Sequence, residues 1–275
     1  MRLFCFFVLF GQSLFALSGP ERTYGPLKMS LVSEYNGFVD DDVFWVAWRI
    51  SREAGWHTYW EFPGDVGVPP SVKWDLPPGI IAEKMIFPPP ERIMMFQVGA
   101  YGHTGESIFL FKFRSQVPFR ESESISIKGK FSWLTCSNTC VPGYGELSID
   151  IPAMEKPDRD PLWHPRFEIF RKSQPSSPPE NWKFEAEDKG NFAILKIPSL
   201  KAEDAGGLFF YPESRMFRSN KPQPVRKKNG VWEILLTKSE WDDYQENWLR
   251  GLVYRRNGWN GNKHQKFLRI SVPLS

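Results

Sequence analysis

Val43-Phe44-Trp45-Val46-Ala47-Trp48-Arg49-Ile50 decides the fold. The run is dominated by β-branched and aromatic side chains, which suits a strand buried over much of its surface. Trp45 and Trp48 therefore read as core and not as a ligand platform. Working outward, residues 29–35 alternate apolar and polar, and residues 56–60, 71–76, 80–87, 107–113, 124–131 and 146–151 carry further strand signals. Pro63-Gly64, Pro69-Pro70, Pro77-Pro78-Gly79 and Pro88-Pro89-Pro90 punctuate them as turns. A parallel α/β sheet needs helices between its strands, and no helical periodicity separates these. Short strands at this spacing predict an all-β, antiparallel sandwich.

After Pro157 the texture changes. Asp160-Pro161 reads as an N-cap followed by proline at the first helical position, with Leu162, Phe167 and Phe170 lining one face of a short helix that ends near Lys172. Residues 173–180, SQPSSPPE, form a Pro/Ser spacer. A second strand series starts at Trp182 and includes residues 192–197, 208–211, 231–236, 252–254 and 267–272. Asn229-Gly230 is a hairpin turn before Val231. Residues 239–248 read as one helical segment with Ser239 as its N-cap. The expected organisation is a first sandwich over residues 19–155, a linker with a short helix over 156–177, and a second sandwich over 178–275.

Residues 1–18 have the layout of a secretory signal: Met1-Arg2, an apolar run over residues 3–10, and small residues Ala16 and Ser18 before Gly19. Cys5 leaves with it, and the expected mature protein is exported, periplasmic or beyond, and spans no membrane. The chain has 12 Trp and 23 Phe, enough for a large core. A formal charge of +3 gives no electrostatic case for nucleic acid. Arg226-Lys227-Lys228, beside Asn229-Gly230, reads as a solvated turn. Asp40-Asp41-Asp42 reads as a charged turn and not as a pair of catalytic carboxylates. No phosphate-cradling loop or nucleophile elbow is present.

The chemistry concentrates in Trp133-Leu134-Thr135-Cys136-Ser137-Asn138-Thr139-Cys140-Val141-Pro142. Two cysteines this close in an oxidising compartment form a structural disulfide, a redox pair or a metal pair. A structural bridge closing a loop of about 5 residues stabilises by only ~2 kcal/mol, against ~4.7 for a 100-residue loop. Short and exposed disulfides are the exchange-competent ones, which favours redox. Zinc wants four ligands, usually two such pairs, and His57, His103, His164 and His264 are scattered. No metal site and no cofactor are expected on this reading. Met94-Met95 offers soft ligands for Cu(I), although such a pair more often fills loop or core.

A set of short motifs resembles the N-terminal periplasmic domain of the DsbD thiol:disulfide interchange proteins, and within them the ScsB-like branch linked to copper tolerance. The motifs run in order: Gly55-Trp56-His57-Thr58-Tyr59-Trp60; Pro63-Gly64-Asp65 with Gly67 and Pro69; Trp74 with Leu76-Pro77-Pro78-Gly79; Pro89-Pro90-Glu91-Arg92; Tyr101-Gly102 with Gly105-Glu106; and Trp133-Leu134-Thr135-Cys136 with Cys140-Val141-Pro142. Leu249-Arg250-Gly251-Leu252-Val253 and Ile270-Ser271-Val272-Pro273-Leu274 resemble the extra β-domain of ScsB-type ectodomains.

The resemblance implies immunoglobulin-like sandwiches and a cysteine pair that relays electrons. It implies that Cys140 forms the mixed disulfide with thioredoxin-like periplasmic partners and that Cys136 resolves it. The sequence carries no pattern for a membrane bundle or a thioredoxin-like module. A separate membrane electron carrier is therefore expected as the reductant, with this chain as one component of a protein-disulfide reductase. The resemblance also implies a cap loop with a shielding aromatic. Ala100 stands where that aromatic is expected, leaving Tyr101 or Phe96 as cap candidates. The alternatives are a non-catalytic immunoglobulin-like binding or assembly module with a structural disulfide, and a Cu(I)-binding module for copper tolerance.

Overall fold

The structure is a computed structural model, and it describes residues 16–39, 43–120, 123–198, 207–240 and 247–275. The N-terminal half holds β1 (Arg22–Tyr24), β2 (Leu27–Ser33), β3 (Val43–Arg52), β4 (His57–Tyr59), β5 (Ser71–Asp75) and β6 (Ile80–Ala82). It continues with β7 (Glu91–Met95), β8 (Val98–His103), β9 (Glu106–Ser115), β10 (Ser124–Cys136) and β11 (Cys140–Pro152). One sheet runs β1-β2-β3-β9-β6; the other runs β11-β10-β4-β8-β7, with β5 also paired to β10. All these pairings are antiparallel, and the two sheets pack as an immunoglobulin-like sandwich.

The decisive run lies in β3, between β2 and β9. Its two faces bury against different things, which explains why it lacks a polar face. Phe44, Val46, Trp48 and Ile50 point into the inter-sheet core with Phe109, Phe131 and Trp133. Trp45 and Ala47 face the other way, toward Trp163, Phe167 and Phe170 of a helical segment. Its regular part, α1 (His164–Ser173), lies flat on that outer face.

The helix starts later than the sequence indicates. Asp160 does receive backbone N–H groups, from Leu162 at 2.9 Å and Trp163 at 2.8 Å. It caps a preliminary turn, and α1 begins after it with Trp163 at the cap position. Phe167 and Phe170 are buried as expected, whereas Leu162 is 49% exposed because it sits in that turn and not on the helix face. Glu34, buried at the end of β2, receives the Arg171 guanidinium at 2.7 Å and the His164 ring at 2.8 Å, tying α1 to the sheet.

The C-terminal half holds β12 (Glu185–Asp188), β13 (Phe192–Ile197), β14 (Phe209–Pro212), β15 (Val225–Lys228), β16 (Val231–Thr237), β17 (Trp248–Tyr254) and β18 (Phe267–Pro273). They form two antiparallel sheets, β12-β13-β16-β15 and β14-β17-β18, around a second apolar core that includes Phe210, Ile234, Leu249 and Trp259. Asn229 and Gly230 both take positive φ, 50° and 82°, and join β15 to β16 as the sequence indicates. The expected helix over 239–248 lies mostly outside the described residues; its last residue, Trp248, opens strand β17 instead. Residues 1–15 and the acidic run at 40–42 also lie outside them. Among the described residues no helix is long and apolar enough to cross a membrane.

A third apolar cluster joins the halves: Trp60 and Tyr101 pack with Tyr211, Leu252 and Phe267. Around it, Ser219 receives the Asp65 N–H on its hydroxyl and donates that hydroxyl to the Gly99 carbonyl at 2.6 Å. Arg92 reaches the carbonyls of Ser219, Asn220 and Lys221.

Candidate functional site

The long hairpin β10–β11 stays in register over its whole length and ends on the pair Cys136↔Cys140. Directly opposed cysteines on antiparallel strands bring their sulfurs together, and here they are bonded at 2.05 Å. The hairpin tip makes the two sulfurs unequal. Cys136 is wholly buried because β4 covers it on the inner side of β10. Cys140 lies on edge strand β11 and is exposed.

Strand β4 supplies the surroundings of the buried sulfur. Its pairing sets Thr58 opposite Thr135 and His57 opposite Cys136. Alternation then puts His57 and Tyr59 on the cysteine face and Thr58 on the other. The Tyr59 hydroxyl donates to Cys136 Sγ at 2.9 Å and lies 3.8 Å from Cys140 Sγ. Burial pushes the Tyr59 phenol above its ordinary value, so it stays protonated and able to donate. The ring is held by the chain at Gly67, where an added Cβ would lie 2.2 Å from it and where φ is +106°. Val66, Met95, Ala100 and Leu134 complete the apolar shell.

Behind this face stands a buried cation. Arg52 is 6% exposed and donates to Thr58 Oγ1 at 2.6 Å and Ser107 Oγ at 3.0 Å. Burial brings its pKa down to about 9. The rings of His57 and His103 are both buried, and loss of solvation, aided by Arg52, lowers both; His103 falls to about 3.

The cap candidates are placed elsewhere. Ala100 shares the cysteine face, so the next residue, Tyr101, must face away from it. The Tyr101 ring packs on Tyr211 and Phe209, with centroids at 5.2 and 6.3 Å. Phe96 is 91% exposed at the tip of the β7–β8 hairpin with a φ of 53°, and shields nothing. The aromatic on the sulfurs is Tyr59. It lay in the motif Trp56-His57-Thr58-Tyr59-Trp60, and strand alternation alone marks His57 and Tyr59 as sharing a face. Of the scattered histidines, His164 joins Glu34 and Glu168 in a group whose ligand atoms lie within 4.8 Å of one another. Arg171 already pairs both carboxylates there, which makes the group an ion-pair network.

The hairpin that carries this disulfide lies within the segment that a family comparison matches. The model of the N-terminal region of thiol:disulfide interchange protein DsbD matches residues 28–151. Over this segment the chain is similar to the DsbD N-terminal family. The fold of the chain is similar to the N-terminal periplasmic domain of ScsB from Proteus mirabilis, with a TM-score of 0.68 and 14% identity, covering 95% of this chain and 100% of that one. A protein of unknown function from Porphyromonas gingivalis W83 is matched over 91% of this chain and 100% of its own at 9% identity, with a TM-score of only 0.26. No curated protein matches the chain in sequence. The match of residues 28–151 to the DsbD N-terminal family and the Cys136–Cys140 disulfide together support a thiol–disulfide exchange module.

Proposed function

We propose that this chain is an exported thiol–disulfide exchange module that passes reducing equivalents between periplasmic proteins through Cys136 and Cys140. Residues 19–155 would carry the exchange and residues 178–275 would form a second sandwich that supports it. The observation that carries the reading is the asymmetry of the pair: Cys140 is exposed and Cys136 is buried beneath the Tyr59 hydroxyl. An outside thiolate can reach only Cys140 and form a mixed disulfide there. The leaving sulfur, Cys136, develops negative charge where a hydroxyl donor already points. The partners this suits are thioredoxin-like proteins bearing their own exposed cysteine, with a separate membrane carrier as electron source.

The test is a trapping experiment with the full chain. A Cys136→Ser variant is expected to accumulate a disulfide-linked adduct through Cys140 with a thioredoxin-like periplasmic protein, identified by mass spectrometry. Cys140→Ser is expected to trap none. The reading falls if neither variant is captured, or if the wild-type disulfide has a potential well below about −300 mV, the range of inert structural bridges.

A further inference from the structure

His57 is a buried titratable group that the exchange chemistry described so far leaves idle. It is 3% exposed and stands directly across the strand pair from Cys136. Side chains so opposed have Cβ atoms about 4.5–5.5 Å apart. The His57 ring meets Tyr59 edge-on, with centroids at 5.3 Å, and Tyr59 holds Cys136 Sγ. Its Nε2 is buried and has no hydrogen-bond partner among the described residues. A buried, unpartnered ring nitrogen of a neutral imidazole is free to accept a proton.

We infer that His57 is the proton acceptor for Cys136, the group that turns the buried resolving thiol into a thiolate. The inference rests on the exchange function proposed above. The need is physical: Cys136 is fully buried, and burial in an apolar shell raises a thiol's pKa and leaves it a poor nucleophile. Starting from the reduced protein, the Cys140 thiolate attacks a partner disulfide, forms the mixed disulfide and expels one partner thiolate. The Cys136 S–H then gives its proton to His57. The resulting thiolate, receiving the Tyr59 hydrogen bond, attacks Cys140 Sγ and expels the second partner thiolate. His57 returns its proton to water or to that leaving thiolate. Two electrons leave the protein's sulfurs, one disulfide forms in it and one breaks in the partner.

Burial, and then the charge of Arg52 on the Thr58 side of the strand, keep the imidazole unprotonated and so open to a proton, while making it a weaker base. The other titratable groups around it are Tyr59 of its own strand, Cys136 of β10, and, around Arg52, His103 of β8 and Glu91 of β7. His57 is therefore neutral at neutral pH and loses its capacity only as pH falls below its lowered pKa.

The test follows resolution of a glutathione mixed disulfide at Cys140, formed by mixing the reduced full chain with glutathione disulfide and quenching for mass spectrometry from pH 5 to 9. In the wild type, resolution is expected to be nearly flat near neutrality and to fall at acid pH. In His57→Gln it is expected to be slower by about tenfold or more at pH 7 and to recover as pH rises and the thiol ionises unaided. An unchanged rate and pH profile in that variant overturns the inference. As a check independent of that variant's folding, the His57 imidazole resonances of the wild type are titrated in both redox states. A shifted titration on reduction is expected, and an identical one overturns the inference. Failure of the wild type to react with glutathione disulfide at all would instead refute the exchange function.

Discussion

Tyr59 adjusts the chemistry of Cys136 through one hydrogen bond, and its value can be measured. The hydroxyl donates to Sγ at 2.9 Å, a bond that strengthens when the sulfur becomes a thiolate. Hydrogen bonds to charged groups are worth about 1.5–3 kcal/mol. Tyr59→Phe is therefore expected to slow attack of an outside thiolate on the disulfide by roughly tenfold to a hundredfold, with no change in fold. An unchanged rate would mean that the hydroxyl only packs. Gly67 is the complementary residue, because an added Cβ meets the Tyr59 ring and φ is +106°. Gly67→Ala is expected to lower thermal stability through that clash and the strained backbone. His103 gives the site a pH dependence. Its folded pKa is lowered to about 3, while the unfolded ring titrates near 6.5. Between those values the unfolded chain binds a proton that the folded one refuses, so stability falls as pH drops from about 6.5 toward 3. Denaturant midpoints at pH 7 and pH 5 are expected to diverge for the wild type and to diverge less for His103→Gln.

The segment around α1 shows how an element far from the sulfurs fixes the sheet that faces the one carrying them. Asp160 is 2% exposed and receives three backbone N–H groups, from Leu162, Trp163 and Leu17. Asp160→Ala is expected to cost about 2 kcal/mol or more in chemical denaturation, above an ordinary cap because buried donors lose their acceptor. A cost within a few tenths would show that α1 docks without its cap. At this scale the legibility of the sequence is uneven, for physical reasons. The strands of the inter-sheet core are plain, because β-branched and aromatic runs have no other use at that length. Strand β8 is hidden, because Gly99 and Gly102 imitate loop while serving close backbone approach. A Cβ at Gly99 would lie 2.4 Å from the Ser219 carbonyl, and one at Gly102 would lie 2.1 Å from that of Thr58. The start of β11, Val141-Pro142-Gly143-Tyr144-Gly145, is hidden in the same way. Proline is tolerated on this edge strand, and the glycines make room for Trp133 and Tyr24. The cysteine pair was legible as chemistry, but its shielding aromatic was not. Assigning Tyr59 to the sulfurs needs the cross-strand register of β4 on β10, a long-range fact.

At the scale of the whole molecule, the C-terminal half holds two segments that approach the disulfide from the same side. One is the loop that leaves β4, which carries Asp65 and then Gly67 against the Tyr59 ring. The other is the β7–β8 hairpin, which carries Met95 and Ala100 of the apolar shell. Residues 218–220 grip both: Arg218 pairs with Asp65 at 3.5 Å, Ser219 bonds Asp65 and Gly99, and Asn220 donates to the Gln97 carbonyl at 2.9 Å. Tyr211 lies beneath this grip, against Tyr101. Its removal leaves a large void in a cluster with few other members, and truncations of this kind cost about 3–5 kcal/mol. Tyr211→Ala is thus expected to loosen the junction before it unfolds either core, since each core has its own apolar cluster. Hydrogen exchange is expected to quicken at residues 60–67 and 96–101 while β2, β3 and β9 stay protected. Alkylation of Cys136 in the reduced protein is expected to quicken as well, because its cover is held from the far side of that junction. If exchange rises only within the C-terminal half and Cys136 stays as unreactive as before, the two halves are mechanically independent, and the C-terminal half has no hold on the sulfur chemistry of the N-terminal one.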